Sequence, residues 1–344
     1  MKNRIKIFLF GECKNNTGPE NVNRNIIKNC DYNIEYVKSK GKISKRIEVL
    51  YKIVKNDVIV YSGIKPKFWV FFSKLLGKKT TYLMHGCISY ESEINRLNVN
   101  EKILDYEKNV FESVDLILPV SEQYKNWVIQ RYPYLENKIH FLNSGISRGG
   151  QSHVIDNRNN KENDEKICVI VAGGDRIQKN NIEVCEAVEY LAKEKKLKIQ
   201  LLVCGRQYYE NNVFEKYSHT TYLGMLPNEQ FLEKLKNADI FILNSEVESF
   251  GLSAVDALSM GCNVLISQNS GVRSVLTLTD ADIIFNPHDS SEIAYKIENI
   301  ISKNNSERIL NAIDFERYSW TSVSDRLYKI CEKLYKCERY NLIK

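Results

Sequence analysis

Asn244-Ser245-Glu246-Val247-Glu248-Ser249-Phe250-Gly251-Leu252-Ser253-Ala254-Val255-Asp256-Ala257-Leu258-Ser259-Met260-Gly261-Cys262-Asn263-Val264 holds three kinds of local order in one continuous run. An apolar strand pattern, Ile240 to Leu243, ends at Asn244. A polar turn then carries Glu248 and Gly251, helical spacing starts near Leu252, and a new strand pattern opens at Asn263. The first amides of a helix have no partner inside it and point outward, so this turn suits an anion, and Gly251 lets the backbone come close to one. Glu248 is free to accept bonds from hydroxyl groups at the mouth of the turn. Asp256 falls on a nearby face about two helical turns deeper.

The same alternation extends in both directions. Upstream, Ile167 to Ala172 and Ile199 to Cys204 read as strands; downstream, Asp282 to Phe285 does. Residues 147–165 are polar and glycine-marked, with almost nothing to bury, and form the expected linker. Before it, Ile5 to Phe10, Val58 to Tyr61, Thr80 to Met84, Leu116 to Val120 and Ile139 to Leu142 read as strands, with helical spacing over Lys102 to Phe111 and Glu122 to Tyr132. Strand and helix in regular alternation predict a doubly wound, mostly parallel sheet in each half. The expected lobes are 1–150 and 151–319. A tail helix within 320–344, apolar at Val323, Leu327, Ile330 and Leu334, completes the first lobe.

At 344 residues, 43% hydrophobic and 27% charged, the chain has the length of two domains and the composition of a globular protein. The nine cysteines are scattered with no C-x-x-C, as suits reduced thiols, and no zinc pattern is readable. No apolar run is long enough to span a bilayer, and the start reads as a strand rather than a signal peptide, so a cytoplasmic location is expected. The net charge of +6 is unevenly spread: residues 1–150 carry 25 Lys/Arg against 15 Asp/Glu. The basic half forms no recognised nucleic-acid module.

The quoted stretch resembles the E-x7-E region of glycosyltransferase family 4, retaining enzymes of the GT-B fold, in which glutamate, Phe-Gly, a second acidic residue and Gly-x-x-Val recur in this order. Here the pair is Glu248 and Asp256. Two departures are visible: Asp256 replaces a glutamate, and Asn263 stands where the family usually has proline. The resemblance implies two Rossmann-like lobes facing across a cleft. It also implies a nucleotide-sugar donor, with a UDP-sugar expected, retention at the anomeric carbon and no required metal or cofactor. Donor contacts are expected from Ser249, Phe250, Gly251, Leu252 and Asp256.

Three other segments extend the resemblance. Val171-Ala172-Gly173-Gly174-Asp175-Arg176-Ile177-Gln178-Lys179 resembles the family's Gly-Arg…Lys segment, with Gly174, Arg176 and Lys179 as the expected clamp on the diphosphate. A planar guanidinium fork and a point charge suit that anion. Thr80 to Gly86 runs a strand into His85, matching the family histidine that reaches the reacting sugar. Phe8 to Asn23 resembles the flexible loop over the diphosphate, although its double glycine is missing; Thr17 and Gly18 are its candidate contacts. The implied acceptor is a glycan, polyprenyl-diphosphate-linked, in bacterial surface polysaccharide synthesis. Lys65 to Lys79 mixes lysines with four aromatics and reads equally as a packing helix or as a peripheral contact with an anionic membrane. A nonhydrolysing nucleotide-sugar epimerase and a non-catalytic partner subunit of a transferase are the competing functions.

Overall fold

The computed structural model describes residues 4–13, 17–65, 67–147 and 166–336. The chain divides into two compact units, residues 1–147 with 315–344, and residues 148–314. Apart from Ser147, the expected linker lies outside the described residues.

The first unit runs β1 (Ile7–Phe10), α1 (Gly18–Lys28), β2 (Ile34–Tyr36), α2 (Lys42–Lys55), β3 (Val58–Ser62), α3 (Lys67–Leu75), β4 (Lys79–Met84), α4 (Ile88–Ile94), α5 (Glu101–Ser113), β5 (Leu116–Pro119) and α6 (Glu122–Arg131). Its sheet has the order β2-β1-β3-β4-β5 with every neighbouring pair parallel. β1, β3 and β5 are buried at every residue, which explains why they read as unbroken apolar runs instead of alternating ones.

The strand expected over 139–142 is a correction. That segment does run beside β5, with His140 N donating to Ile117 O at 3.0 Å and Leu142 N to Pro119 O at 2.9 Å, but only one bridge, Ile117 to Ile139, forms. The bond between those two would need an N–H at residue 119, and proline has none.

The second unit runs β6 (Ile167–Ala172), α7 (Asn181–Lys193), β7 (Ile199–Cys204), β8 (Thr220–Gly224), α8 (Asn228–Lys236), β9 (Ile240–Leu243), α9 (Leu252–Ser259), β10 (Asn263–Ser267), β11 (Ile283–Ile284), α10 (Ser290–Ser302) and α11 (Ser306–Asn311). The order is β11-β10-β9-β6-β7-β8, again all parallel. Val171, Val188, Leu191, Ile242 and Ile297 lie in one buried cluster between this sheet and its helices. Asn263 has a task here that proline could not perform: its Oδ1 accepts from Asn305 N at 2.8 Å and Ser306 N at 3.1 Å, fixing the start of α11.

α12 (Trp320–Tyr335) returns to the first unit. The Ser319 hydroxyl accepts from Ser322 N and caps it. Val323, Leu327, Ile330 and Leu334 point inward as their spacing predicts, and α12 packs on α1, where Ser324 Oγ donates to Ile26 O at 3.0 Å. The Tyr32 and Tyr328 rings stack with centroids 3.7 Å apart.

Candidate functional site

In the second unit three loops leave the carboxyl ends of neighbouring strands: 173–180 after β6, 205–209 after β7 and 244–251 after β9. Ligands of parallel sheets bind beyond this edge. Local chemistry sets the loop shapes. Gly173 and Gly174 take φ of +108° and +64°, and both amides donate to Cys204 O, at 2.8 and 2.9 Å. A Cβ on Gly174 would lie 2.1 Å from Arg206 O, so the loop after β6 can approach the loop after β7 only through glycine.

A set of hydrogen bonds from amide N–H groups clips the first loop to the third. Asn180 Nδ2 donates to Asn244 O at 3.3 Å, while Asn244 Nδ2 donates back to Asn180 O at 3.0 Å. Gln178 Nε2 donates to Val247 O at 2.6 Å, and Glu246 N to Gln178 O at 2.8 Å. Held this way, Lys179 and Glu248, distant in sequence, meet in a direct ion pair between Lys179 Nζ and Glu248 Oε2. Ser245 Oγ also donates to Glu248 Oε2, at 3.3 Å. Burial drives the Glu248 carboxyl pKa up; the charge and hydrogen bond of Lys179, the charge of Arg176 and the Ser245 hydroxyl outweigh that and leave it below its ordinary value. Lys179 is only 9% exposed, so this is no solvated basic turn.

Arg176 sits three residues before Lys179, with Nε 3.5 Å from Gly173 O and its guanidinium 5.8 Å from the Tyr208 ring centroid. The Arg206 guanidinium lies 5.6 Å from the same centroid. Asp175 orders the intervening loop, accepting from Tyr208 N at 2.8 Å and Tyr209 N at 3.1 Å. Sequence reasoning did not select Arg206 or Tyr208. The available signal was that Val-Cys-Gly-Arg at 203–206 repeats the strand, glycine, arginine order of the loop after β6.

Gly251 caps α9 at φ +100°, where a Cβ would lie 2.6 Å from Leu243 Cδ2. α9 begins at Leu252, as the spacing predicts, and its first amides open from the turn that carries Ser249 and buried Phe250. The turn is pinned from behind by Gly271 N donating to Glu248 O at 2.9 Å and Val272 N to Phe250 O. Asp256 lies on α9, apart from the ion pair. Its carboxylate has no hydrogen-bond partner among the described residues, and burial pushes its pKa up to about 6.

The remaining candidates belong to the first unit. His85 follows β4 at the carboxyl edge of that sheet; Thr17 precedes α1 without a side-chain capping bond and Gly18 opens the helix, with no neighbouring atom within 4 Å of a Cβ built at Gly18. Residues 14–16 of the same loop lie outside the described residues. His85 Nε2 is 3.0 Å from Ser62 Oγ, and burial pushes the imidazole pKa down to about 4, so the ring is neutral near pH 7.

Two helices of the first unit turn apolar side chains to solvent. α3 buries Val70 and Ser73 and exposes Phe68, Phe71 and Leu75, so residues 67–75 have both a packing face and an outward one. α2 buries Val49 and Ile53 yet also exposes Ile43, Ile47, Tyr51 and Val54, a stripe on the opposite side, among Lys42, Lys45, Arg46 and Lys55. Among the described residues, no helix is long and apolar enough to cross a membrane, and no cluster of three His, Cys, Asp or Glu side chains is placed to hold a metal ion.

Each unit is a Rossmann-like α/β lobe built on a parallel sheet, the architecture of GT-B glycosyltransferases. Residues 154–313, which include all three loops, match the family described as glycosyl transferases group 1. The chain is 21% identical over 248 residues to the uncharacterized glycosyltransferase MJ1607 of Methanocaldococcus jannaschii, an overlap of 66% of this chain. It spans 62% of that curated relative's length. Among solved structures it is similar to HepE of Anabaena in complex with UDP-glucose, at 14% identity and TM-score 0.69, covering 96% of this chain and 100% of HepE. It is also similar to the lipopolysaccharide outer core galactosyltransferase WaaB, at 16% identity and TM-score 0.65, covering 97% of this chain and 100% of WaaB.

Proposed function

We propose that the chain is a retaining, metal-independent glycosyltransferase of family 4 that moves a sugar from a UDP-sugar to a lipid-linked glycan acceptor in bacterial surface polysaccharide synthesis. The observation that carries this reading is the cationic loop cluster of the second unit: Lys179 held against Glu248, with Arg176 and Arg206 flanking one tyrosine ring. Lys179, the two arginines and the first amides of α9 neutralise the diphosphate, and they do so more strongly as charge builds on it when the glycosidic bond to it breaks. Glu248 orients the donor sugar through its hydroxyls, Asp256 accepts from the ribose, Thr17 and Gly18 are assigned to the diphosphate, and His85 is assigned to the donor sugar. HepE, crystallised with UDP-glucose, supports the choice of donor, and WaaB, which acts in the lipopolysaccharide outer core, supports the class of acceptor.

The outward apolar faces of α2 and α3, rimmed by lysine and arginine, supply a peripheral contact with an anionic bilayer, where such an acceptor would reside. A location on the cytoplasmic side follows from this reading. A thermal-shift panel of nucleotide sugars tests the donor: a UDP-sugar raises the melting temperature, and Arg176→Ala weakens its binding about tenfold to a hundredfold. Transfer to a polyprenyl-diphosphate glycan then tests the reaction. An isomerised sugar formed without acceptor points instead to an epimerase, and tight donor binding without turnover to a non-catalytic subunit.

A further inference from the structure

Next to His85 the first unit holds a buried polar chain that no sequence pattern announced. Asn23, on α1, is 1% exposed and Ser62, the last residue of β3, is 3% exposed. Asn23 Nδ2 is 2.9 Å from Glu12 O, Ser62 Oγ is 2.8 Å from Asn23 Oδ1, and His85 Nε2 is 3.0 Å from Ser62 Oγ. Each link decides the next. A backbone carbonyl can only accept, so the Asn23 amide must turn its NH2 toward Glu12 and its oxygen toward Ser62. That oxygen takes the single hydroxyl hydrogen of Ser62. Ser62 therefore has only lone pairs to offer His85, and the neutral ring must carry its hydrogen on Nε2, leaving a bare lone pair on Nδ1. Among the described residues Nδ1 has no hydrogen-bond partner.

The chain is built in by shape as well. A Cβ at Gly11 would lie 2.5 Å from Asn23 Nδ2 and 2.8 Å from Ser62 Cβ, so glycine at the end of β1 is what lets the two polar side chains meet.

We propose that Asn23 and Ser62 are positioning residues that lock His85 as the Nε2–H tautomer, so that its Nδ1 is presented as an acceptor to a sugar hydroxyl and never as a donor. The role in transfer rests on the assignment of His85 to the donor sugar; the tautomer itself does not. Directed by a carbonyl three links away, the ring accepts a hydrogen bond at Nδ1 rather than donating one. This selects a donor sugar with a hydroxyl, not an ether or acyl oxygen, at the position His85 meets.

The experiment is nitrogen NMR of full-length protein labelled at histidine, with His85→Gln used to assign the signal, followed by transfer kinetics. At pH 7 the wild-type spectrum is expected to show Nε2 protonated and Nδ1 bare. Ser62→Ala removes the acceptor and should give a mixture of tautomers, with kcat down about tenfold and KM within about twofold, equal to about 1.4 kcal/mol of transition-state stabilisation. Asn23→Ala frees the Ser62 hydroxyl to rotate and should shift the tautomer in the same sense, while Ser62→Thr, which keeps the hydroxyl, should restore both spectrum and rate. A wild-type ring protonated on Nδ1, an unchanged tautomer in Ser62→Ala, or a changed tautomer with unchanged transfer would each overturn the proposal. If the chain turns over no donor at all, the glycosyltransferase reading fails and the wild-type spectrum still decides the tautomer.

Discussion

Replacing Glu248 by alanine tests how the site is held together. Its carboxylate is the partner of Lys179, and the two side chains are only 16% and 11% exposed. Removing one member of a buried pair leaves the other charge without compensation, at a cost of about 3 to 5 kcal/mol; the residual exposure places this pair near the lower figure, about 3 kcal/mol. In a domain of this size that corresponds to a fall in Tm of about 6 to 12 °C. The sign with pH follows from the lowered carboxyl pKa: the folded state favours the ionised form, so the contribution is complete above the ordinary carboxylate range and is lost as pH falls through the lowered value. Denaturant unfolding of wild type, Glu248→Ala, Lys179→Met and the double variant at pH 7.5 and at pH 3 reads all of this. At pH 7.5 the double variant should be more stable than the sum of the single changes by about 2 kcal/mol or more, and the coupling should shrink at pH 3. Additive single changes, or Glu248→Ala within about 0.5 kcal/mol of wild type, would refute the pair as the clasp of the site.

Arg206→Ala should weaken UDP-sugar binding about tenfold to a hundredfold by calorimetry, as Arg176→Ala does, with little change in stability. Gly174→Ala forces a side chain into φ +64° against Arg206 O and should cost about 2 kcal/mol or more, whereas Gly18→Ala, which meets nothing within 4 Å, should leave unfolding within about 0.5 kcal/mol of wild type. Asp256 behaves oppositely to Glu248. With its pKa raised to about 6, the folded protein holds this proton more tightly than the unfolded chain, so the contribution of Asp256 is complete below the ordinary carboxylate range and is lost as pH climbs through 6. Asp256→Asn should therefore be more stable than wild type at pH 7.5 by about 1 to 2 kcal/mol, a gain that fades by pH 4 in the same unfolding assay.

What could be read from the sequence was what is contiguous in it. Strand β9, the turn at Glu248 and helix α9 follow one another without interruption, so spacing and glycine placement located them together. The same holds for β6 and the loop with Arg176 and Lys179. The short strand β2 was missed because Ile-Glu-Tyr at 34–36 offers too few residues to show a pattern, and edge strand β8, Thr-Thr-Tyr-Leu-Gly, is only half-buried and lacks the apolar run of its neighbours. The strand expected at 139–142 fails for a reason that belongs to its partner: Pro119 lacks the donor. The α2 stripe stayed hidden because its apolar residues are divided between a buried face and an exposed one, and only packing separates them.

The interactions that give the site its chemistry are of another kind. Asn180 and Asn244 each donate a side-chain amide to the other's backbone carbonyl, Lys179 finds Glu248, and Asn23 finds Ser62 and through it His85, all between segments far apart in sequence. Each of these side chains taken alone is an ordinary polar residue in a turn or a helix, and their meaning comes from register. Parallel sheets put every strand's carboxyl end on one edge, so loops distant in sequence become neighbours, and a buried polar group arriving there must find its partner in another loop or remain unsatisfied at a cost of about 1 to 3 kcal/mol. That cost ties the site to the fold. Glu248 and Lys179 can be adjusted only together, and the state of His85 is decided at Glu12, a residue whose backbone carbonyl no side-chain substitution removes.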